Sequence, residues 1–580
     1  MRDHIIRLLL CFTLCIMFSV SACAQPKKPY IPITFQITGI QDETIQKNVI
    51  STLENLRARL HTPVTNEEAK HFAYKSPRFI EDAVKPYGYF NCQAKSQLLR
   101  TEKGWLVKFQ VTLGRELPIT GMQIEIHGAG TSDPEFIKWK KDLPFKIGQT
   151  LNTQNYEKAK IHLYNLATKR GYFQAKMIKN QIQINLARYQ ANIIIIFNTG
   201  PRYRFGETTF SKTPFYTSYL NKFITYQAGE YYNAKKLAAS QERLVRSNAF
   251  DQVTPKPNLK AVENNVVPIH FSLITRKSKE YTFGLGYGTD TGVRGTAGVI
   301  LRHIGHSGQR FTTLLRASQT NSSLTAKYII PGVDPANDNF TIGAGASNMN
   351  QATGNAHNVK FGLTYLMARG NWSQSLTLAY LNERYNITTL PFTSTELVYP
   401  IYDLKYSNIV TPEHPRKGIS IAMQLTGARK SILSETNFFQ AQAHLRTLYT
   451  ISETHTRLLF RSDLGRTDIA NIVNLPLSLQ LFAGGSTSVR GYGYNSIGPG
   501  RNLVVASTEI QQKVVGAFYL AAFIDAGTVG DNNIFNAINA GAGPGIAWIS
   551  EIGSMELTYA NAFTQNNKPW SLQFTMGAVL

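Results

Sequence analysis

The stretch Gly484-Gly485-Ser486-Thr487-Ser488-Val489-Arg490-Gly491-Tyr492-Gly493-Tyr494 decides how the chain is read. Its glycines mark a loop, and short alternating apolar segments lie on either side. Arg490 is the charge at its middle, with Gly491 after it and tyrosines close by. A guanidinium is planar, always charged and carries five donors, so a buried one can hold two partners at once. Two downstream acids stand out as those partners: Glu509 within 503–511 and Asp525 within 518–525, both alternating segments. With Val504, Ala506 and Ile510 outward, Glu509 faces inward; with Leu520, Ala522 and Ile524 outward, so does Asp525. A loop folded into a barrel then sets Arg490 between two lumenal carboxylates. The competing reading is a surface loop with a solvated arginine, and the surrounding pattern has to separate the two.

That pattern is a long run of period two. From Tyr281 onward, Tyr281, Phe283, Leu285 and Tyr287 alternate with Thr282, Gly284, Gly286 and Gly288. Ile419, Ile421, Met423 and Leu425 alternate with Ser420, Ala422 and Gln424, and Leu572, Phe574 and Met576 close the chain in the same style. Apolar residues on one face and small or polar ones on the other are the signature of a transmembrane β-barrel. Residues 281–580 allow roughly sixteen antiparallel strands of about ten residues each, with turns and longer outer loops. So many strands in one unbroken run exclude a soluble β-sandwich. Trp372, Trp548 and Trp570 suit the aromatic girdles. Composition agrees: charged residues make up 17%, against about a quarter in soluble chains. After the N-terminus no apolar run is long enough for a membrane-spanning helix.

The N-terminus reads as a targeting signal over residues 1–24. Arg2 and Arg7 form a basic start, Leu8 to Val20 an apolar core, and Ala22-Cys23-Ala24 a small-x-small cleavage site. Val20-Ser21-Ala22-Cys23 also loosely fits a lipidation box, so both processing routes stay open. Plain cleavage leaves Cys92 alone, without a disulfide partner.

Between signal and barrel lies a loose internal repeat. Gly88-Tyr89-Phe90, Gly171-Tyr172-Phe173 and Asn248-Ala249-Phe250 recur, each after a helical segment. Residues 155–169 put Tyr156, Ala159, Leu163 and Leu166 on one helix face, and 235–246 do so with Leu237, Leu244 and Val245. Strand-like runs open each unit (33–37, 122–126, 203–210) and close it (105–113, 192–197, 266–273). The unit is β-α-α-β-β, with the aromatics after the second helix packing into a small core. It resembles the polypeptide-transport-associated (POTRA) domain, in three copies at 33–114, 116–200 and 203–276. The expected fold class is therefore α+β POTRA-like repeats followed by a transmembrane β-barrel over 281–580. A sheet of this kind offers an edge strand that can accept an extended chain.

The run GGSTSVRGYGYNSIGP resembles the lumenal-loop motif of the BamA/TamA superfamily of outer-membrane assembly barrels, and VVASTEI and AAFIDAGTVG resemble the strand motifs that follow it. The resemblance implies that Val489, Arg490, Gly491 and Tyr492 form the loop motif and that Arg490 contacts Glu509 and Asp525 on the inner wall. Within the superfamily the mature chain is similar to the TamA branch. The BamA branch implies five repeats, and the two-partner-secretion branch two repeats and an N-terminal plug helix, which Pro26, Pro29 and Pro32 forbid.

The implied function is insertion and folding of outer-membrane client proteins such as autotransporters, with no covalent catalysis. The implied partners are an inner-membrane-anchored, TamB-like protein docking on the first repeat, unfolded clients, and membrane lipids and lipopolysaccharide; lipid transport is a further implied role. The location is the bacterial outer membrane, with the repeats in the periplasm. A strand entering lipid must satisfy its backbone hydrogen bonds. A weak seam between first and last strands would lend it edges: Gly284, Gly286 and Gly288 on one side, Phe574 and Met576 on the other. Leu580 in place of a terminal aromatic departs from many such barrels. The alternative is a two-partner-type secretion channel or passive pore exporting one partner.

Enzyme and metal motifs are not met. Gly305-His306-Ser307-Gly308 is not a nucleophile elbow. His303 and His306 face opposite sides of a strand, with no acid or cysteine to complete a metal site. Residues 541–545, Gly-Ala-Gly-Pro-Gly, lack the lysine of a phosphate loop and read as a bend within the final strands. No cofactor is expected. The net charge of +24 is scattered rather than clustered, which points away from nucleic acid and leaves two readings open, attraction to anionic headgroups or acidic partners and a generally basic protein background.

Overall fold

The computed structural model describes residues 32–577, apart from 62, 103, 290–291, 389, 410–415, 432 and 551–552. The signal segment and Leu580 lie outside the described residues. The chain forms two compact units. One is the described chain up to Gly206 with Gly229–Lys235 and Val262–Val267; the other is Glu207–Ala228, Lys236–Ala261 and the chain from Pro268.

The first unit begins with β1 (Ile33–Thr38), α1 (Glu43–Arg57), α2 (Asn66–Val84), β2 (Gln93–Thr101) and β3 (Gly104–Thr112). The same order follows in β4 (Ile119–His127), α3 (Pro134–Lys141), α4 (Thr153–Arg170), β5 (Lys176–Asn185) and β6 (Gln190–Asn198). In both sheets the last strand is central, parallel to the first and antiparallel to the second. The helix starts are written in the sequence. Asp42 accepts from the amides of Thr44 and Ile45 at the start of α1, and Thr65 with Glu68 forms a capping box on α2. The Thr65 amide, with His61, holds the pKa of the partly buried Glu68 carboxyl down at about 2. The apolar faces of α1, α2 and α4 meet their sheets in two separate cores.

A third round comprises β7 (Arg204–Phe210), α5 (Thr217–Asn221), α6 (Ala234–Arg246), β8 (Phe250–Pro257) and β9 (Val266–Thr275), in sheet order β7-β9-β8. Its first helix is a five-residue turn, shorter than the repeat implies. On α6 the buried face is Leu237, Ser240 and Leu244, and Val245 is exposed. Ser240 replaces it because its hydroxyl accepts from the Thr225 amide at 2.9 Å, a bond an apolar pattern does not reveal.

The repeated marker has a backbone cause. Gly88, Gly171 and Asn248 all take left-handed conformations, φ 92°, 84° and 59°, ending the preceding helical segment. The first two markers do two things: Tyr89 and Tyr172 pack in their own cores as expected, while the phenylalanine after each works at the joint to the next module. The Gly88 carbonyl accepts from the Leu117 amide at 2.9 Å, and Phe90 packs on the second core. The Gly171 carbonyl accepts from the Tyr203 amide at 2.9 Å, and Phe173 lies edge-on to Tyr203 and Tyr232 at 5.4 and 4.8 Å.

The second unit holds a sixteen-stranded antiparallel sheet in strict sequence order, from Lys279–Gly288 to Trp570–Gly577. Apolar residues of the first strand face out, with Phe283 79% and Leu285 85% exposed. Trp372 and Trp570 are exposed outward and Trp548 is half-buried. His303 is the penultimate residue of the second strand, whereas His306 sits in the tight turn after it, so the two do not share a strand. Its Nδ1 lies 2.5 Å from the Pro214 carbonyl.

Asp133, which caps α3, ties the second core together. Its carboxylate accepts from Arg170 Nε at 2.8 Å, the Tyr172 hydroxyl at 2.9 Å and the Glu135 amide at 3.1 Å. Burial pushes this carboxyl up, but the Arg170, Glu135 and Tyr172 bonds outweigh it and hold it below the usual range. A depressed folded value means that the stabilisation is full above the unfolded value of about 4 and is lost as pH falls through the folded one. Asp133→Asn should cost roughly 1.5–3 kcal/mol at neutral pH and flatten the acid response. Pulse proteolysis across α3 and β4–β6 in a urea series, at pH 7 and pH 3.5, reads both; equal acid losses in wild type and variant would count against this account.

Candidate functional site: a buried arginine in the barrel lumen

Residues 470–501, between the eleventh strand (Thr456–Ile469) and the twelfth (Asn502–Val515), fold inside the barrel. They make two short turns, Ile472–Asn474 and Leu477–Leu479, and a small hairpin pairing Leu481–Ala483 with Ile497–Gly500. Leu475, Leu477 and Leu481 pack on the inner wall with Tyr385, Leu397 and Leu503 among their neighbours. The arginine motif is the tip of this hairpin. Gly484, Gly485 and Gly491 have φ of 102°, 104° and 95°, which side chains strain to adopt. The Gly485 amide donates to the Tyr492 carbonyl at 3.1 Å, closing the tip. Val489 is fully buried.

The tip presents Arg490 to the wall, 3% exposed. Its Nε and Nη2 grip Asp525 of the thirteenth strand (Phe518–Gly530) at 2.7 and 2.9 Å, and its backbone amide adds a third bond at 3.0 Å. Nη1 reaches Glu509 of the twelfth strand at 2.6 Å and Glu556 of the fifteenth strand (Gly553–Asn561) at 3.1 Å. The face of the guanidinium lies 3.5 Å from the centre of the Phe523 ring. Around this centre Ser507 donates to Asp525 at 2.5 Å, Gln511 to Glu509 at 2.6 Å, and Arg461 to the Ser488 carbonyl at 2.8 Å. A cavity of about 290 Å³ opens beside it. The structure thus brings Arg490, Glu509 and Asp525 together.

Sequence reading missed Glu556, Arg461 and Gln573. Alternation in 554–560 puts Glu556 inward with Thr558, which was a usable signal. Gln573 accepts from the Gly491 amide at 3.4 Å and donates to the Tyr492 carbonyl at 3.3 Å, contacts to backbone that no side-chain pattern announces. Tyr492 also meets Thr564, with 2.7 Å between the hydroxyls. The glycine run 541–545 lies within the fourteenth strand (Asn539–Ser550), as expected of a feature of the final strands. A Cβ on Gly541 would stand 1.9 Å from the Arg490 carbonyl, and one on Gly543 as close to the Tyr559 carbonyl.

The first strand pairs with the second and the sixteenth with the fifteenth, and among the described residues no ladder joins the sixteenth to the first. Gly284 and Gly286 belong to the inward set of the first strand, and Gly288 is its last residue. Phe574 and Met576 belong to the outward set of the last strand, opposite in phase to inward Gln573. A direct Gly286–Phe574 crosslink, which edge position alone suggests, therefore joins opposite faces. Among the described residues no cluster of three His, Cys, Asp or Glu could hold a metal.

With this geometry in hand, comparison with known proteins is specific. The Omp85 superfamily domain matches residues 279–578, and the POTRA domain described as TamA domain 1 matches 34–113. Among solved structures, BamA from Haemophilus ducreyi lacking POTRA domains 1-3 is similar with a TM-score of 0.67 and 17% identity, over 80% of this chain and 99% of that one. CdiB from Acinetobacter baumannii gives a TM-score of 0.48 and 14% identity, over 80% of this chain and 90% of that one.

Removing one partner from a buried ionic network leaves uncompensated charge and costs about 3–5 kcal/mol. Arg490→Ala should therefore lower the temperature at which the barrel loses its heat-modifiable band on gels. Arg490→Lys should recover only part, because an ammonium lacks the planar fork. Gly541→Ala should act in the same direction by displacing the Arg490 carbonyl. Wild-type heat stability in Arg490→Ala would refute the anchoring role.

Proposed function

This chain belongs to the Omp85 superfamily, with its barrel in the outer membrane and its POTRA arm in the periplasm, and on that premise we propose that it inserts and folds client β-barrel proteins, autotransporters among them. The observation that carries the reading is the seam. The edges of the first and last strands have no ladder between them among the described residues, so each has backbone groups to lend to an incoming strand. Gly284, Gly286 and Gly288 on one edge and Phe574 and Met576 on the other are the seam residues. Val489, Arg490, Gly491 and Tyr492, with Glu509 and Asp525, anchor the wall behind it.

The second reading is a secretion channel or passive pore. The lumenal loop packs apolar residues against the inner wall, which favours insertion over free passage. Liposome conductance separates the two: a large, stable open pore supports the channel.

The arm is organised as POTRA modules at 33–114, 116–200 and 203–276, behind a cleaved signal at 1–24. The first module receives a TamB-like, inner-membrane-anchored partner. Membrane lipids and lipopolysaccharide contact the basic chain, and the process includes no covalent step.

Two experiments test this. Cysteines on one face of the seam, Phe283→Cys with Phe574→Cys and neighbouring same-face pairs, should stop client assembly when crosslinked; full crosslinking with unchanged assembly would sink the lateral-seam mechanism. Deleting residues 33–114 should leave the barrel heat-modifiable, since that module has its own core, and abolish co-purification of the partner. Retained co-purification would move the docking site elsewhere.

A further inference from the structure

The third marker, Asn248-Ala249-Phe250, does not fill its joint as the first two do. Phe250 turns back into its own module, 2% exposed and 5.6 Å from the Phe215 ring. The small Ala249 is left beside the periplasmic ends of the second barrel strand (Gly292–Ile304) and the third (Gln309–Ser318). A cavity of about 170 Å³ remains there, lined by Ala249, Asn248, Tyr219, Arg302, Arg310 and Thr312. Tyr219 lies across the turn between the two strands: a Cβ on Gly308 would stand 2.2 Å from its hydroxyl oxygen.

The charge in this cavity is unbalanced. Arg302 is 8% exposed and shares Glu280 through one Nη, while its buried Nε finds no acceptor among the described residues. Arg310, half-buried on the facing strand, has Tyr219 and Arg302 as its electrostatic neighbours and, among the described residues, no carboxylate partner. Two guanidiniums thus meet one carboxylate. A buried cation with an unmet donor is costly unless an acceptor arrives. The void exceeds what one water needs, about 30 Å³ of liquid volume, and its donors are planar forks suited to a multi-oxygen anion.

We infer that this cavity is a binding site for a phosphate group, held by Arg302 and Arg310 with the Tyr219 hydroxyl, at the joint between the third module and the barrel. A lipid headgroup and free phosphate share this chemistry. Because the site is formed by both α5 and the barrel turn, occupancy fixes the module on the barrel. The inference stands independently of whether clients are inserted.

The test uses the full chain in micelles of an uncharged detergent, titrated by calorimetry with inorganic phosphate, dihexanoyl phosphatidic acid and, as a zwitterionic control, dihexanoyl phosphatidylcholine. Saturable one-site binding of phosphate or phosphatidic acid is expected. Arg310→Gln should weaken it at least tenfold, and Arg316→Gln, exposed on the same strand, should leave it unchanged. Ala249→Leu, which fills the void without altering charge, should also abolish it, so the result does not hang on one variant. Phosphate alone binding identifies free phosphate; phosphatidic acid alone identifies a lipid headgroup. No saturable binding, or equal affinity in the wild type, Arg310→Gln and Ala249→Leu, overturns the site.

Discussion

The pairing of Arg490 with Asp525, Glu509 and Glu556 is the interaction on which the rest of the barrel interior depends. A guanidinium excluded from water is stable only when its donors are met in geometry, and here they are met by acids from three different strands. The loop cannot satisfy the arginine alone, and the strands cannot satisfy their acids alone. Everything near the site serves the approach of one to the other. The tip is bent by left-handed glycines, and Gly541 leaves the wall without a Cβ where the Arg490 carbonyl lies.

This anchoring is one-sided. Through Gln573 and Thr564 the loop holds the last strand and the turn before it, on the same side as the acids. Among the described residues the first strand receives its ladder from the second strand alone, with a glycine-rich inward face. The last strand is therefore braced from within by the loop, and no contact of this kind to the first strand is seen among the described residues.

Much of this was legible in the chain. Period-two alternation fixed the inward phase of Glu509 and Asp525 because a strand offers only two faces. The helix starts were visible because Asp42 and Thr65 are capping residues. What stayed hidden depends on contacts to backbone or on single polar atoms. Gln573 binds loop carbonyl and amide groups, Ser240 takes a place that apolar periodicity gave to Val245, and Phe90 and Phe173 leave their own cores for the next module. Sequence periodicity reports which face a residue occupies, and it is silent on which neighbour that face meets. The third round shows the same limit: α5 is a single turn, and its Tyr219 lies against Gly308 in the barrel turn, a neighbour that periodicity does not announce.

The position of the arginine in the chain also sets an order of assembly. Residue 490 can seat only after residues 509, 525, 556 and 573, all later in the chain, have been placed in the wall, because it or its loop requires each of them. Until the C-terminal strands have entered the wall, the hairpin tip has no acids to neutralise it and stays hydrated. Seating of the loop is thus a checkpoint on the chain's own maturation. It registers that strands twelve through sixteen are present and in phase, since a slip of one residue turns every acid to the outside.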